Sequence, residues 1–88
     1  MKTRKIYFAE EYRDKAGIGT TEYFNSADEA IEYAKDEWDH LNDADRKSYM
    51  NDSFSMFIAG QKWQTWDDDI EEWIDGDIID VYYDALDK

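Results

Sequence analysis

The chain has 88 residues, 42% of them hydrophobic and 17% aromatic, with 23 acidic side chains against 10 basic and a net charge of −13. That length supports one domain over residues 1–88 with one core, and the apolar content separates it from disordered acidic chains. The absence of Cys excludes a disulfide framework and any thiolate metal site, and the charge opposes direct binding of nucleic acids or anionic membranes.

The charge is uneven. Residues 1–15 hold five Lys/Arg against three acids, whereas residues 61–88 hold two Lys against ten acids. The basic start, MKTRKIYFAEEY, is followed by an apolar run too short for a signal peptide, and no stretch approaches the ~20 apolar residues of a membrane span. These features fit a cytoplasmic protein.

Residues 4–12, RKIYFAEEY, place Ile6 and Phe8 on one side and Tyr7 and Ala9 on the other, as expected of a strand partly covered on both faces. Arg13 to Gly19 reads as a turn, with Gly17 and Gly19 free to take positive φ, and Thr20–Phe24 returns as a second strand. The strongest local signal follows in Ser26–Leu41, SADEAIEYAKDEWDHL. Ser26 and Glu29 form a capping box, and Ala27, Ala30, Ile31, Ala34, Trp38 and Leu41 recur at helical spacing. Asp28, Glu32, Asp36 and Asp39 fall on the opposite side, interrupted by Lys35.

After Leu41, Asn42 or Asp43 can cap one short helical turn with Arg46 and Lys47 at its C-terminal end. Ser53–Ala59 alternates as a third strand, with Phe54, Met56 and Ile58 on one face, Phe57 and Ala59 on the other, and Gly60 as its end. Residues 67–74, DDDIEEWI, read as a short helix capped by Thr65, and residues 77–86 as a turn and strand. The alternative is a single helix over 67–86, disfavoured because Gly76 in its middle costs about 1 kcal/mol. The predicted fold is α+β: a small antiparallel sheet of about four strands, β-β-α-β-(α)-β, with the main amphipathic helix on one face. Its other face is expected to show Tyr7, Phe57 and Tyr82 or Trp side chains.

Little catalytic chemistry is legible. His40 is the only histidine, it lies on the polar side of the helix, and no strand–turn–helix elbow surrounds Ser53 or Ser55. With so many acids, carboxylate pairs arise by chance. An EF-hand register that puts Gly76 sixth places Trp73 where an oxygen ligand is required, so neither a metal site nor a cofactor is expected. Gly17 and Gly19 lack phosphate-loop spacing.

A charged surface remains. From Asp28 to Asp39 six acids face one Lys over about 16 Å of helix, roughly one net charge per 3.3 Å, against about one per 3.4 Å along a DNA strand. Asp67, Asp68, Asp69 and Glu72 extend the acidic field, and Trp63, Trp66 and Trp73 supply aromatic anchors, unless the Trp side chains simply fill core. In size, charge and aromatic content the chain is similar in kind to the small acidic anti-restriction and anti-CRISPR proteins with which phages and plasmids block host nucleases, although no motif carries over residue by residue. The resemblance implies a non-enzymatic inhibitor that offers a basic protein surface a nucleic-acid-like field. The alternative is an assembly module that forms a homodimer through an exposed aromatic sheet face, and acidity by itself also serves solubility.

Overall fold

The computed structural model describes residues 2–14, 17–52 and 54–86. Two strands, β1 (Thr3–Arg13) and β2 (Ile18–Phe24), are followed by two helices, α1 (Ala27–His40) and α2 (Asp43–Asn51). Two long strands then close the chain, β3 (Met56–Asp67) and β4 (Glu72–Asp84). All pairings are antiparallel and the sheet order is β2-β1-β3-β4. The small α+β fold is as expected, but its second helix stands before β3 rather than between β3 and β4.

The principal helix begins and ends where its caps dictate. Ser26 is extended at φ −143° and its Oγ accepts from Glu29 N at 3.2 Å, while Leu41 closes the far end by donating its N–H to the Trp38 carbonyl. Replacing Ser26 with Ala is expected to cost about 1 kcal/mol, read as a lowered urea midpoint. The next helix is capped by Asn42, whose Oδ1 accepts from Asp45 N at 2.8 Å, and it runs for nine residues rather than one turn. Arg46 therefore sits inside α2 and serves its neighbour. Its guanidinium donates to the Trp38 and Asp39 carbonyls, acceptors in the last turn of α1.

The core lies between α1 and one face of the sheet. Ala30 and Ala34 settle on Ala9 and Ala59, four small side chains that let the helix backbone approach closely, and Phe57 and Tyr49 fill the space beside them. Trp38, Tyr49 and Phe57 form a triangle of edge-to-face rings with centroids 5.1–6.0 Å apart, a favoured aromatic geometry. This corrects the expected face assignment. Phe57 is fully buried beneath α1, and Tyr7 packs against the same cluster. Phe8, Glu10, Ile58 and Lys62 line the face away from the helices, because residues opposite one another in the ladder share a side.

The last third also differs. Gly60 does not end β3. The strand continues to Asp67, and glycine is required at position 60 because any Cβ there would meet the Asp80 carbonyl oxygen and the Val81 Cα of β4. Residues 67–74 form a hairpin rather than a helix. Asp67 Oδ1 accepts from Asp69 N at 2.9 Å, an Asx turn, and Glu71 takes positive φ of 55° before the chain returns as β4. Acidic residues that suit the first turn of a helix suit this turn equally, and the strand expected from Asp77 is the second half of β4. The rival single helix over 67–86 is absent. The ring of Trp66 meets Trp73 across the hairpin at 5.5 Å in an edge-to-face pair, which fixes its register.

The molecule measures 44 × 27 × 19 Å, and the elongation comes from this hairpin. The helix-side cluster uses only Phe57 and Ala59 of β3 and Tyr83 of β4, so the segment from Lys62 to Asp80 projects past the helices.

Candidate interaction surfaces

The ten acidic and aromatic residues expected to form an interaction surface separate into two groups. Asp28, Glu32, Asp36 and Asp39 lie together along the exposed side of α1, around Ile31 and Lys35, in a shallow open groove. Among the described residues, no Lys or Arg nitrogen approaches the carboxylates of Asp28, Glu32 or Asp39 within 4 Å. Lys35 instead turns its ammonium toward the ring of Tyr83, 5.7 Å away. His40, fully exposed at the end of the stripe, is held above its ordinary pKa by the Asp36 backbone carbonyl at 2.6 Å and by the carboxylates around it.

Asp67, Asp68, Asp69, Glu72, Trp66 and Trp73 form the second group at the hairpin tip. Thr65, Trp66, Asp67, Asp68, Asp69 and Ile74 line an open cleft there. The indole of Trp66 donates to Asp68 Oδ1 at 2.7 Å, and Arg4 lies 4.0 Å over the ring of Trp73. The two tryptophans are thus half-buried and held by neighbours rather than standing free. No hydrogen bond, ion pair or ring contact joins this group to the α1 stripe among the described residues.

Asp67 and Glu72 face one another in the ladder, two like charges at adjacent strand positions. Such pairs are destabilising, so Glu72→Lys is expected to raise stability by roughly 0.5 kcal/mol, measured by urea unfolding at low salt.

One organised cluster was not anticipated. On the face away from α1, Lys62 is nearly buried, with its ammonium 4.2 Å from the ring centre of Phe8, 3.6 Å from Glu10 and 3.4 Å from Asp75. Buried Gln64 donates to Asp75 Oδ1 at 2.8 Å and accepts from Arg4 Nε at 2.8 Å, while the Tyr23 hydroxyl donates to Asp75 Oδ2 at 2.7 Å. Tyr23 belongs to one edge strand and Asp75 to the other. Three strand spacings would part the edges by about 14 Å in a flat sheet, so this contact requires a strongly curled one. The three register shifts between β3 and β4 provide the curl.

The electrostatics follow from these contacts. Burial works to raise the Asp75 pKa, but Gln64, Tyr23 and Lys62 together stabilise its carboxylate and leave it below its ordinary value. Burial and the Asp75 carboxylate push the Tyr23 hydroxyl up to about 12. Burial also raises Glu11, helped by Glu37 and opposed by Arg13. The sequence signal for this cluster was Lys62 itself, the single cation between Lys47 and Lys88.

The fold and these surfaces define a small α+β protein with a four-stranded antiparallel sheet, helices on one face and carboxylates exposed on the other side of the principal helix. No family model matches the chain, and comparison with curated proteins and with solved structures gives no match. Among the described residues, no helix is long and apolar enough to cross a membrane, and no group of three or more His, Asp or Glu side chains is arranged to hold a metal ion.

Proposed function

We propose that this is a non-enzymatic acidic binding protein that occupies a basic, nucleic-acid-binding surface of a protein partner. The observation that carries the reading is the stripe of α1. Asp28, Glu32, Asp36 and Asp39 stand on one exposed face of a rigid, doubly capped helix, and among the described residues the carboxylates of Asp28, Glu32 and Asp39 have no ion-pair partner within 4 Å. Fixed carboxylates on a helix keep a constant spacing, so the field they present is preorganised for a groove that ordinarily holds phosphates. The overall charge of −13 adds long-range steering toward a basic partner.

Capture from a cell lysate at low salt tests this reading. The wild-type chain is expected to retain a basic protein that duplex DNA displaces. The quadruple reversal of Asp28, Glu32, Asp36 and Asp39 to Lys, checked for an unchanged circular dichroism spectrum, is expected to lose it. Retention of the same protein by the folded reversal variant would contradict the proposal. A homodimer through an aromatic sheet face has less support, since Phe57 lies in the core and Tyr7 is partly covered by it.

A further inference from the structure

The face away from the helices carries an apolar feature that the fold does not need. Met56, Ile58, Ile78, Val81 and Leu86, the last also part of the core cluster, line a groove across β3 and β4 beside their register shifts, with Asp84 in its lining. Its floor is well packed, with Ile58 6% and Leu86 5% exposed, but its walls are not: Ile78 is 43% and Val81 44% exposed. Phe54, the chain neighbour of groove-lining Ser55, is the most exposed large apolar side chain among the described residues, at 71%. Ile74 and Tyr82 of β4 are exposed too, but on the other face of the sheet, where Ile74 pairs with Thr65 and Tyr82 meets Tyr7 and Gln61. Ile78 and Val81, half-exposed beside buried Ile58 in so charged a chain, mark a contact surface rather than the scattered exposure of an ordinary surface.

Charge decides what fits. Between Asp67 and Leu86 there are nine acidic residues and no Lys or Arg, and Asp75 among them meets Lys62 of β3 within ion-pair distance. A second copy would bring the same acids against these, and like charges brought together at an interface are costly. The register shifts along β4 also interrupt the outward backbone ladder that an added strand would need. An occupant must therefore enter by its side chains and bring positive charge with it.

We propose that this groove receives one or two large aliphatic side chains of a protein segment in which they are flanked by lysine or arginine. The aliphatic groups lie on Ile58 and Leu86 between Ile78 and Val81, and the flanking cations meet the carboxylates that β4 carries on either side. This rests on the reading of a basic partner and adds a second, apolar point of attachment on the opposite side of the sheet from α1. Carboxylates of the helix stripe then set the long-range field, and the groove contributes affinity that salt does not screen.

Two synthetic peptides with identical lysines, one carrying two leucines and the other serines in their place, titrated into the isotopically labelled chain, test the inference. The leucine peptide is expected to bind at least about tenfold more tightly, consistent with partial burial of two aliphatic side chains, and to shift the amides of Ile78 and Val81. Ile78→Ser with Val81→Ser, two exposed positions whose change spares the core, is expected to reduce its affinity to that of the serine peptide. Equal affinity of the two peptides, with shifts confined to α1, would overturn the groove while leaving the acidic-surface reading intact. Failure of both peptides to bind would count against both. A concentration-dependent dimer abolished by the same double substitution would show that the occupant is a second copy, and would overturn the proposal.

Discussion

Phe57→Ala is expected to remove about 4 kcal/mol of stability, a large share of the 5–15 kcal/mol typical of a small domain. The ring is fully buried and forms two sides of the aromatic triangle with Trp38 and Tyr49, each an edge-to-face contact. Its loss opens a cavity at the point where α1, α2 and β3 meet. The surrounding rings are too rigid, and the neighbouring Ala9, Ala30 and Ala59 too small, to close it. Urea unfolding reads the effect directly. A cost below about 1 kcal/mol would mean that Phe57 faces solvent, and that the helices cover the other face of the sheet.

The second large effect is expected at Lys62. Replacing it with Met keeps the stem packed on Phe8 but removes the charge that Glu10 and Asp75 share. Removing one partner of a buried ion pair costs about 3–5 kcal/mol, and the partial exposure of Asp75 reduces that to roughly 2 kcal/mol here. The pH dependence gives the finer test. The folded-state pKa of Asp75 lies below its unfolded value, so its contribution is present above the unfolded value near 4 and is lost as pH falls through the folded one. The destabilisation by Lys62→Met is therefore expected to be largest near neutral pH and to shrink once Asp75 protonates. A penalty that stays constant from neutral pH to pH 3 would show that Lys62 acts through packing alone. At the alkaline end the sign is opposite. The Tyr23 pKa, raised to about 12, means that its contribution is complete below the ordinary tyrosine value near 10 and disappears as pH climbs to about 12.

How much of this was legible in the residues depended on whether the signal was local. Ser26, Glu29 and the apolar spacing through Leu41 place α1 to within a residue of its observed ends, since caps and periodicity need no tertiary information. The first hairpin follows from its glycines and its short alternating runs. The hairpin tip misleads because Asp67–Asp69 satisfies two rules at once: acids suit the first turn of a helix and also the turn that the Asp67 carboxylate closes. Gly60 reads as a stop when its role is to let β4 pass close, a contact twenty residues away in sequence. Facing was ambiguous for a similar reason. Both sides of β1 carry one aromatic ring beside an aliphatic group, and only the docking of Ala30 and Ala34 on Ala9 and Ala59 decides which side is covered.

The acidic stripe of α1 was legible because it shares the periodicity of the helix that carries it. The contact between Trp66 and Trp73 and the cover by Arg4 come from strand register, which spacing alone does not reveal. The Lys62 cluster depends on all four strands and on the curl of the sheet, and it was out of reach for the same reason.

The affinity of the captured basic partner, compared at about 50 mM and about 200 mM salt, tests the account most directly. A surface that acts through the carboxylates of Asp28, Glu32, Asp36 and Asp39 predicts at least tenfold weaker binding at the higher salt, with duplex DNA competing for the same site. An affinity that stays within twofold across that range, and that DNA leaves untouched, would contradict it.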